Sequence, residues 1–373
     1  MTPSLPVARR GATLAANLGL SERVFSSASD RAMAKAIDAG LERVEAGLAN
    51  EVAFADPIAG ASARYLLDAG GKRVRPMLTL LAAQLGDGAN DDVVVAAQAI
   101  EVTHLASLYH DDVMDESERR RGVPSAQTVW GNSVAILTGD LLFARASQLM
   151  ARLGERAILL QADTFERLVM GQLHETVGPQ PGEDPISHYI QVLADKTGSL
   201  IAAAAQSGVV FSNADPAFEQ PIIDFGEKIG IAFQLIDDVI DLSPKPETTG
   251  KVPGTDLRAG VVTLPLLRLR EFAKTDASSA ALLDRIEHDV MPPTPDPAAL
   301  VYETNTGASR IIPSADAVDA IIGELREHEA TRATLAEAHR WARDAVDALD
   351  ALPDGSVKKA LTRFADTIVE RSS

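Results

Sequence analysis

The sequence predicts an all-α fold. Three observations carry that expectation: apolar residues recur at three- and four-residue spacing from about residue 31 onward, the apolar mass is mostly Ala, Leu, Val and Ile with only 4% aromatics, and strand-like alternation is missing. With no βαβ pattern, the doubly wound nucleotide-binding folds drop out. Neither Gly71-Lys72 nor Gly250-Lys251 has the preceding glycine and following Ser or Thr of a phosphate-binding P-loop.

Taken in order, the periodicity predicts helices over 31–50, 59–69, 76–86, 91–115, 132–152, 155–174, 185–211, 216–242, 263–273, 278–288, 315–350 and 355–371. The segment 1–30 reads as a disordered leader: it carries Arg9 and Arg10, and its short apolar stretch is broken by Gly11 and Gly19, unlike a secretory signal. Gly70 and Gly71 open a turn that Pro76 closes, and Gly198 marks a break within 185–211. Two stretches, 243–262 and 289–314, lack helical pattern; the second holds Pro292, Pro293, Pro295 and Pro297 and reads as a disordered insertion, the first as a functional loop. No fixed repeat period appears, so 31–373 is expected to form one helical domain.

Composition narrows the chemistry. The chain has no cysteine, which excludes disulfides, zinc–thiolate sites, iron–sulfur clusters and thiol catalysis. With 35 basic and 53 acidic residues the net charge is −18, which argues against nucleic acid or anionic lipid bound by bulk positive field. The longest charge-free runs, 122–139 and 197–214, are interrupted by Gly, Ser, Thr, Gln and Asn, so no transmembrane segment is expected and the cytoplasm is the expected location.

Two motifs stand out. HLASLYHDDVMDESERRRG places Asp111, Asp112 and Asp115 at the end of an apolar helix, and FQLIDDVID repeats the arrangement with Asp237, Asp238 and Asp241. On a helix, residues i and i+4 share a face about 6 Å apart along the axis, so Asp111/Asp115 and Asp237/Asp241 are like-charged pairs. A solvated acidic face explains one such cluster. Two copies flanked by core-type residues call for a hard divalent cation, Mg²⁺ above all where phosphate oxygens complete its shell. GGKRVRP supplies Lys72, Arg73 and Arg75 at a glycine turn, Arg119-Arg120-Arg121 follows the first aspartates, and His104 lies two turns before Asp111. Alone, either basic cluster is ordinary surface; together with the aspartates they make an anion site.

In this order, GGKRVRP, HLASLYHDDVMDESERRRG, DKTGSLIAAA and FQLIDDVID resemble the trans-polyprenyl diphosphate synthases, the head-to-tail prenyltransferases, over about 50–271 and more loosely to the end. The resemblance implies an all-α, homodimeric bundle around a deep cavity, with the two aspartate-rich helices facing one another. It also implies an allylic diphosphate held through about three Mg²⁺ ions by Asp111, Asp112, Asp115, Asp237 and Asp241. The allylic C–O bond ionises, isopentenyl diphosphate attacks the cation, and a proton is lost. Lys72, Arg75, His104 and Arg121 match the family's isopentenyl diphosphate site and Arg120 its allylic diphosphate contact, although Arg119 makes the run three long and leaves that division one step open. Lys196, Thr197, Gln234 and Lys251 match groups around the ionising substrate, the lysines stabilising its departing diphosphate.

One departure is Val261, where many members of the family carry a lysine; nearby Arg258 is the expected substitute. In this family, bulky residues four and five positions before the first aspartate form a floor under the growing chain. Here they are Ser107 and Ala106, so the expected product is long, hepta- to nonaprenyl, with a floor at Leu137, Leu141 or Phe143 as the alternative. The rival readings are a short-chain synthase, a catalytically silent partner subunit and a terpene cyclase. Silent subunits lose aspartates, and a cyclase has no use for an isopentenyl site. Peripheral membrane association through the lipid product is a further expectation.

Overall fold

The computed structural model describes residues 27–243, 253–292 and 314–371. The all-α expectation holds. The helices are α1 (Ala28–Glu51), α2 (Pro57–Asp68), α3 (Val74–Ala82), α4 (Asp91–Met114), α5 (Ala126–Trp130), α6 (Asn132–Arg152), α7 (Glu155–Val177), α8 (Pro185–Leu193), α9 (Ser199–Phe211), α10 (Glu219–Asp241), α11 (Thr255–Arg258), α12 (Leu264–Ala273), α13 (Ala277–Arg285), α14 (Ala315–Glu327), α15 (Glu329–Ala348) and α16 (Ser356–Glu370). Their starts have local causes. Ser27 and Asp30 form a reciprocal capping box on α1, Asp56 accepts from the Ile58 and Ala59 amides, and Asn90 accepts from Val93 N at 2.9 Å.

The described chain divides into two compact units. One draws on Met1–Gln172, Ala194–Gly230 and Asp344–Thr367. Its centre is α4, which buries residues on every side (Val93, Ala97, Ile100, Leu105 and Tyr109 among them) and is packed by α1, α3, α6 and α9, as a helix apolar all round must be. The other draws on Leu173–Leu193, Ile231–Arg343 and Ile368–Ser373. Its core is built by Leu242, Leu257, Leu266, Leu269, Ile286 and Leu325.

Three local features depart from the expected pattern. A two-residue antiparallel hairpin, β1 (Arg119–Arg120) with β2 (Val123–Pro124), turns through Arg121 and Gly122, both at positive φ (53° and 80°), as a tight primed turn requires. The expected single helix 315–350 is two, because His328 turns extended (ψ 156°) and its Nδ1 accepts the Ala330 amide at 3.1 Å, capping α15. The break expected near Gly198 is a π-turn over Ala194–Gly198 between α8 and α9. Most of the expected leader and of the 289–314 insertion lies outside the described residues, as does Lys251.

Candidate active site

The glycine turn before α3 and the arginine hairpin after α4 meet. Gly70 and Gly71 take positive φ, Arg73 follows in the left-handed region (φ 51°), and Arg75 enters the first turn of α3. A Cβ on Gly71 would lie 2.4 Å from Arg73 Nη1 and 3.1 Å from the Arg121 guanidinium carbon, so the two arginine ends close over a residue without a side chain. Arg121 is anchored by donating to Leu66 O at 2.6 Å. His104, on α4, faces Arg75, Arg121, Arg120 and Arg73. Burial, reinforced by these cations, holds its imidazole pKa well below the usual value, so it is neutral at pH 7.

Such a density of positive charge needs a counter-ion. Glu101, buried one turn before His104, accepts from Arg73 at 3.2 Å, while Glu45 of α1 accepts from the same guanidinium through two of its nitrogens. Arg73 is therefore tied down by carboxylates, whereas Arg75 Nε is sealed from solvent without a hydrogen-bond partner. Burial lowers the pKa of Arg75 and brings that of Arg121 down to about 10. Two half-buried guanidinium groups, one with an orphaned donor, favour an anion beside them. Lys72 is exposed beside them.

At the end of α4, Asp115 closes the helix with its amide on Asp111 O at 2.8 Å, which preserves the i, i+4 relation of the two carboxylates. Asp111 is half-buried and Asp115 exposed. Asp112 points elsewhere: it is fully buried, accepts from Arg120 Nε at 2.6 Å, and keeps one carboxylate oxygen with no hydrogen-bond partner. Burial raises its pKa against the opposing pull of Arg120. Arg120 thus stands between Asp112 and the His104 cluster.

The second motif, in the other unit, has the same division. Asp237 is 34% exposed and pairs with Arg371 at 3.1 Å, whose guanidinium also lies 4.9 Å above the Phe233 ring. Asp241 accepts the Asp256 amide at 3.1 Å. Asp238 is buried, accepting from Tyr189 Oη at 2.7 Å and from the Gln234 side chain, and burial pushes its pKa up to about 8. Gln234, expected among the groups around the ionising substrate, is engaged with this carboxylate. Arg258, the expected substitute for the lysine absent at Val261, is committed to Asp319 at 2.6 Å and to Pro253 O, so it does not fill that role.

Lys196 and Thr197 lie within the π-turn, half-buried. Ala106 and Ser107 are buried on α4, with Ser107 Oγ turned onto His104 O at 2.9 Å. Of the alternative floor residues Leu137 is 65% exposed, while Phe143 stacks on Phe165 at 4.4 Å. Glu45, Glu101, Tyr189 and Arg371 were not anticipated. Glu101 alone had a local signal, its one-turn spacing to His104; the others reach their partners across 28 or more residues of sequence.

The motif carboxylates are hard oxygen donors, and among the described residues no three His, Asp or Glu side chains form a ready-made metal cage. Mg²⁺ fits such a set, since it binds through one or two carboxylates and takes its remaining ligands from water and substrate phosphate.

Known proteins agree with this reading. Residues 56–291 match the polyprenyl synthetase family. The chain is 46% identical over 278 residues to a nonaprenyl diphosphate synthase of Mycobacterium tuberculosis, covering 74% of this chain and 81% of the relative. It is 33% identical to an octaprenyl diphosphate synthase of Haemophilus influenzae, over 91% and 96% of the two chains. A polyprenyl synthase from Caulobacter crescentus, solved in complex with calcium and isoprenyl diphosphate, superposes with a TM-score of 0.76 at 31% identity, covering 92% of this chain and 98% of that one. The matched span takes in the basic turn, the arginine hairpin and both aspartate motifs, and the chain belongs to the polyprenyl synthetase family as a prenyltransferase enzyme.

Proposed function

We propose that the chain condenses an allylic diphosphate with successive isopentenyl diphosphates to give a long all-trans polyprenyl diphosphate. The observation that carries this is the half-buried cationic cluster around His104, in which Arg75 Nε has no hydrogen-bond partner and Arg73 is already neutralised. Lys72, Arg75, His104 and Arg121 hold the isopentenyl diphosphate there; neutral His104 contributes a hydrogen bond and the arginines the charge. Arg120 turns its remaining N–H groups to the allylic diphosphate, with Lys196 and Thr197 around the breaking C–O bond. Asp111 and Asp115, and Asp237 and Asp241, are the groups that would hold Mg²⁺, with Asp112 bound to Arg120. When bound, the metal neutralises charge on the departing diphosphate. Bond breaking leaves an allylic cation, the isopentenyl double bond attacks it, and a proton leaves the new chain.

A long product is supported by the small side chains of Ala106 and Ser107 and by the names of the synthases this chain is similar to. A homodimer is supported by an apolar surface on α6 and α7: Ile136, Leu137, Ile158, Leu159, Val169 and Met170 are exposed. α6 is also the one helix among the described residues long and apolar enough to cross a membrane, yet it buries Leu142, Ala146 and Leu149 against its own unit, as an interface helix does.

Incubation with labelled isopentenyl diphosphate, each allylic primer in turn and Mg²⁺, followed by sizing of the products, tests the reading. Chains of about seven to nine isoprene units are expected, and Ser107→Phe should shorten them. Turnover independent of isopentenyl diphosphate would overturn it.

A further inference from the structure

The π-turn that carries Lys196 and Thr197 is gripped from two sides. On one side, Arg167 of α7 donates from Nε to Asp195 Oδ1 at 2.8 Å and from Nη1 to Glu227 Oε2 at 2.9 Å. One turn further along α7, Gly171 lets the turn approach so closely that a Cβ there would lie 2.6 Å from Lys196 N and 3.0 Å from the Asp195 carbonyl carbon. On the other side, α10 repeats the pairing of a charged anchor with a glycine. Glu227 takes the second arm of Arg167, and Gly230, one turn on, would place a Cβ 2.6 Å from Gly198 Cα. Gly198 in turn would set a Cβ 3.0 Å from Glu227 O.

A widened helical turn is poorer in hydrogen-bond geometry than the α-helix it interrupts and persists only where its surroundings hold it. Here the close contacts of Gly171, Gly198 and Gly230 and one guanidinium supply that hold. The planar fork matters, because its two separate N–H edges reach two carboxylates on different elements, which a lysine point charge cannot do in a fixed geometry. Among the described residues the Arg167 guanidinium bonds to Asp195 and Glu227, so its influence on chemistry passes through the turn.

We propose that Arg167 is a positioning residue: by bridging Asp195 to Glu227 it fixes the wide turn that presents Lys196 and Thr197 to the ionising substrate. This rests on the role given above to Lys196 and Thr197. The expected signature is a loss in the chemical step with substrate capture intact.

The test compares Arg167→Gln, Arg167→Lys, Lys196→Ala and wild type in the full chain. For Arg167→Gln we expect kcat to fall about tenfold, KM for isopentenyl diphosphate to stay within about twofold, and amide hydrogen exchange over 194–199 to quicken about tenfold while exchange in α4 stays at its wild-type rate. Arg167→Lys should restore little of either. Wild-type exchange over 194–199 in Arg167→Gln, or faster exchange throughout the unit with kcat and KM failing together, overturns the proposal. Lys196→Ala separates the underlying reading: if kcat survives that change, the assignment of Lys196 fails, whereas the exchange measurement still decides whether Arg167 holds the turn.

Discussion

Adjacent aspartates in each motif have opposite surroundings. Asp237 is accessible and paired with a guanidinium, whereas Asp238, the next residue, is buried, bonded to Tyr189 and raised to about pKa 8. Asp238 keeps its proton in the folded chain up to that pH, while the unfolded chain releases it near 3.8, so this group makes the protein less stable as pH rises from about 4 to 8. Asp238→Asn removes the proton linkage and keeps the shape. Urea unfolding in EDTA should show the variant gaining on wild type between pH 5 and pH 8. Its kcat should stay within about tenfold of wild type, whereas Asp237→Asn should lose about a hundredfold or more, the scale of a lost electrostatic group at a transition state. Equal losses from the two changes would refute the division. Asp112 follows the same logic, since its carboxylate sits on Arg120 rather than on the face shared by Asp111 and Asp115.

Between elements, small residues set how closely the helices behind the site can approach. α9 crosses α3 at Gly208, where a Cβ would lie 2.2 Å from Thr79 O and 2.9 Å from Ala83 N, both backbone atoms that cannot rotate away. Thr79 Oγ1 ties the crossing by donating to Ala204 O at 2.8 Å. Arg75, with its orphaned donor, is one turn before Thr79 on α3. Gly208→Ala should therefore lower stability by about 1–3 kcal/mol, read as a lower urea midpoint, and weaken isopentenyl diphosphate binding with it. A wild-type midpoint would mean that the helices part without cost. The helix pattern was legible in the sequence because an amphipathic face repeats within a few turns. The division at His328 was not, because a histidine capping through Nδ1 leaves the apolar spacing on either side unchanged.

At the scale of the whole molecule, a net charge of −18 coexists with a local cluster of Arg73, Arg75, Arg120 and Arg121 around His104. Half-buried guanidinium groups such as Arg75 and Arg121 act at short range, where they outweigh distant surface carboxylates screened by salt. The apolar surface of α6 and α7 belongs to this scale as well. Leu137 and Leu159 are 65% and 55% exposed. On the proposed homodimer, wild type should scatter light at twice 39.5 kDa, and Leu137→Glu with Leu159→Glu should leave the helical circular dichroism intact and lower that mass to 39.5 kDa. A doubly substituted protein that kept the larger mass would place the interface elsewhere.

The sequence by itself determined the helical class, the enzyme family and the motif residues, because amphipathic spacing, glycine turns and i, i+4 carboxylates are encoded within a few turns of chain. Only the tertiary structure decided which partner each of those charges meets. Arg73 carries the same charge as Arg75, yet Glu45 and Glu101 pair with one and leave the Nε of the other without a hydrogen-bond partner. Arg258 lies where a substitute lysine was wanted, yet Asp319, 61 residues away, claims it. Charge pairing depends on distance in space, and it is packing of the helices that brings together partners so far apart in sequence.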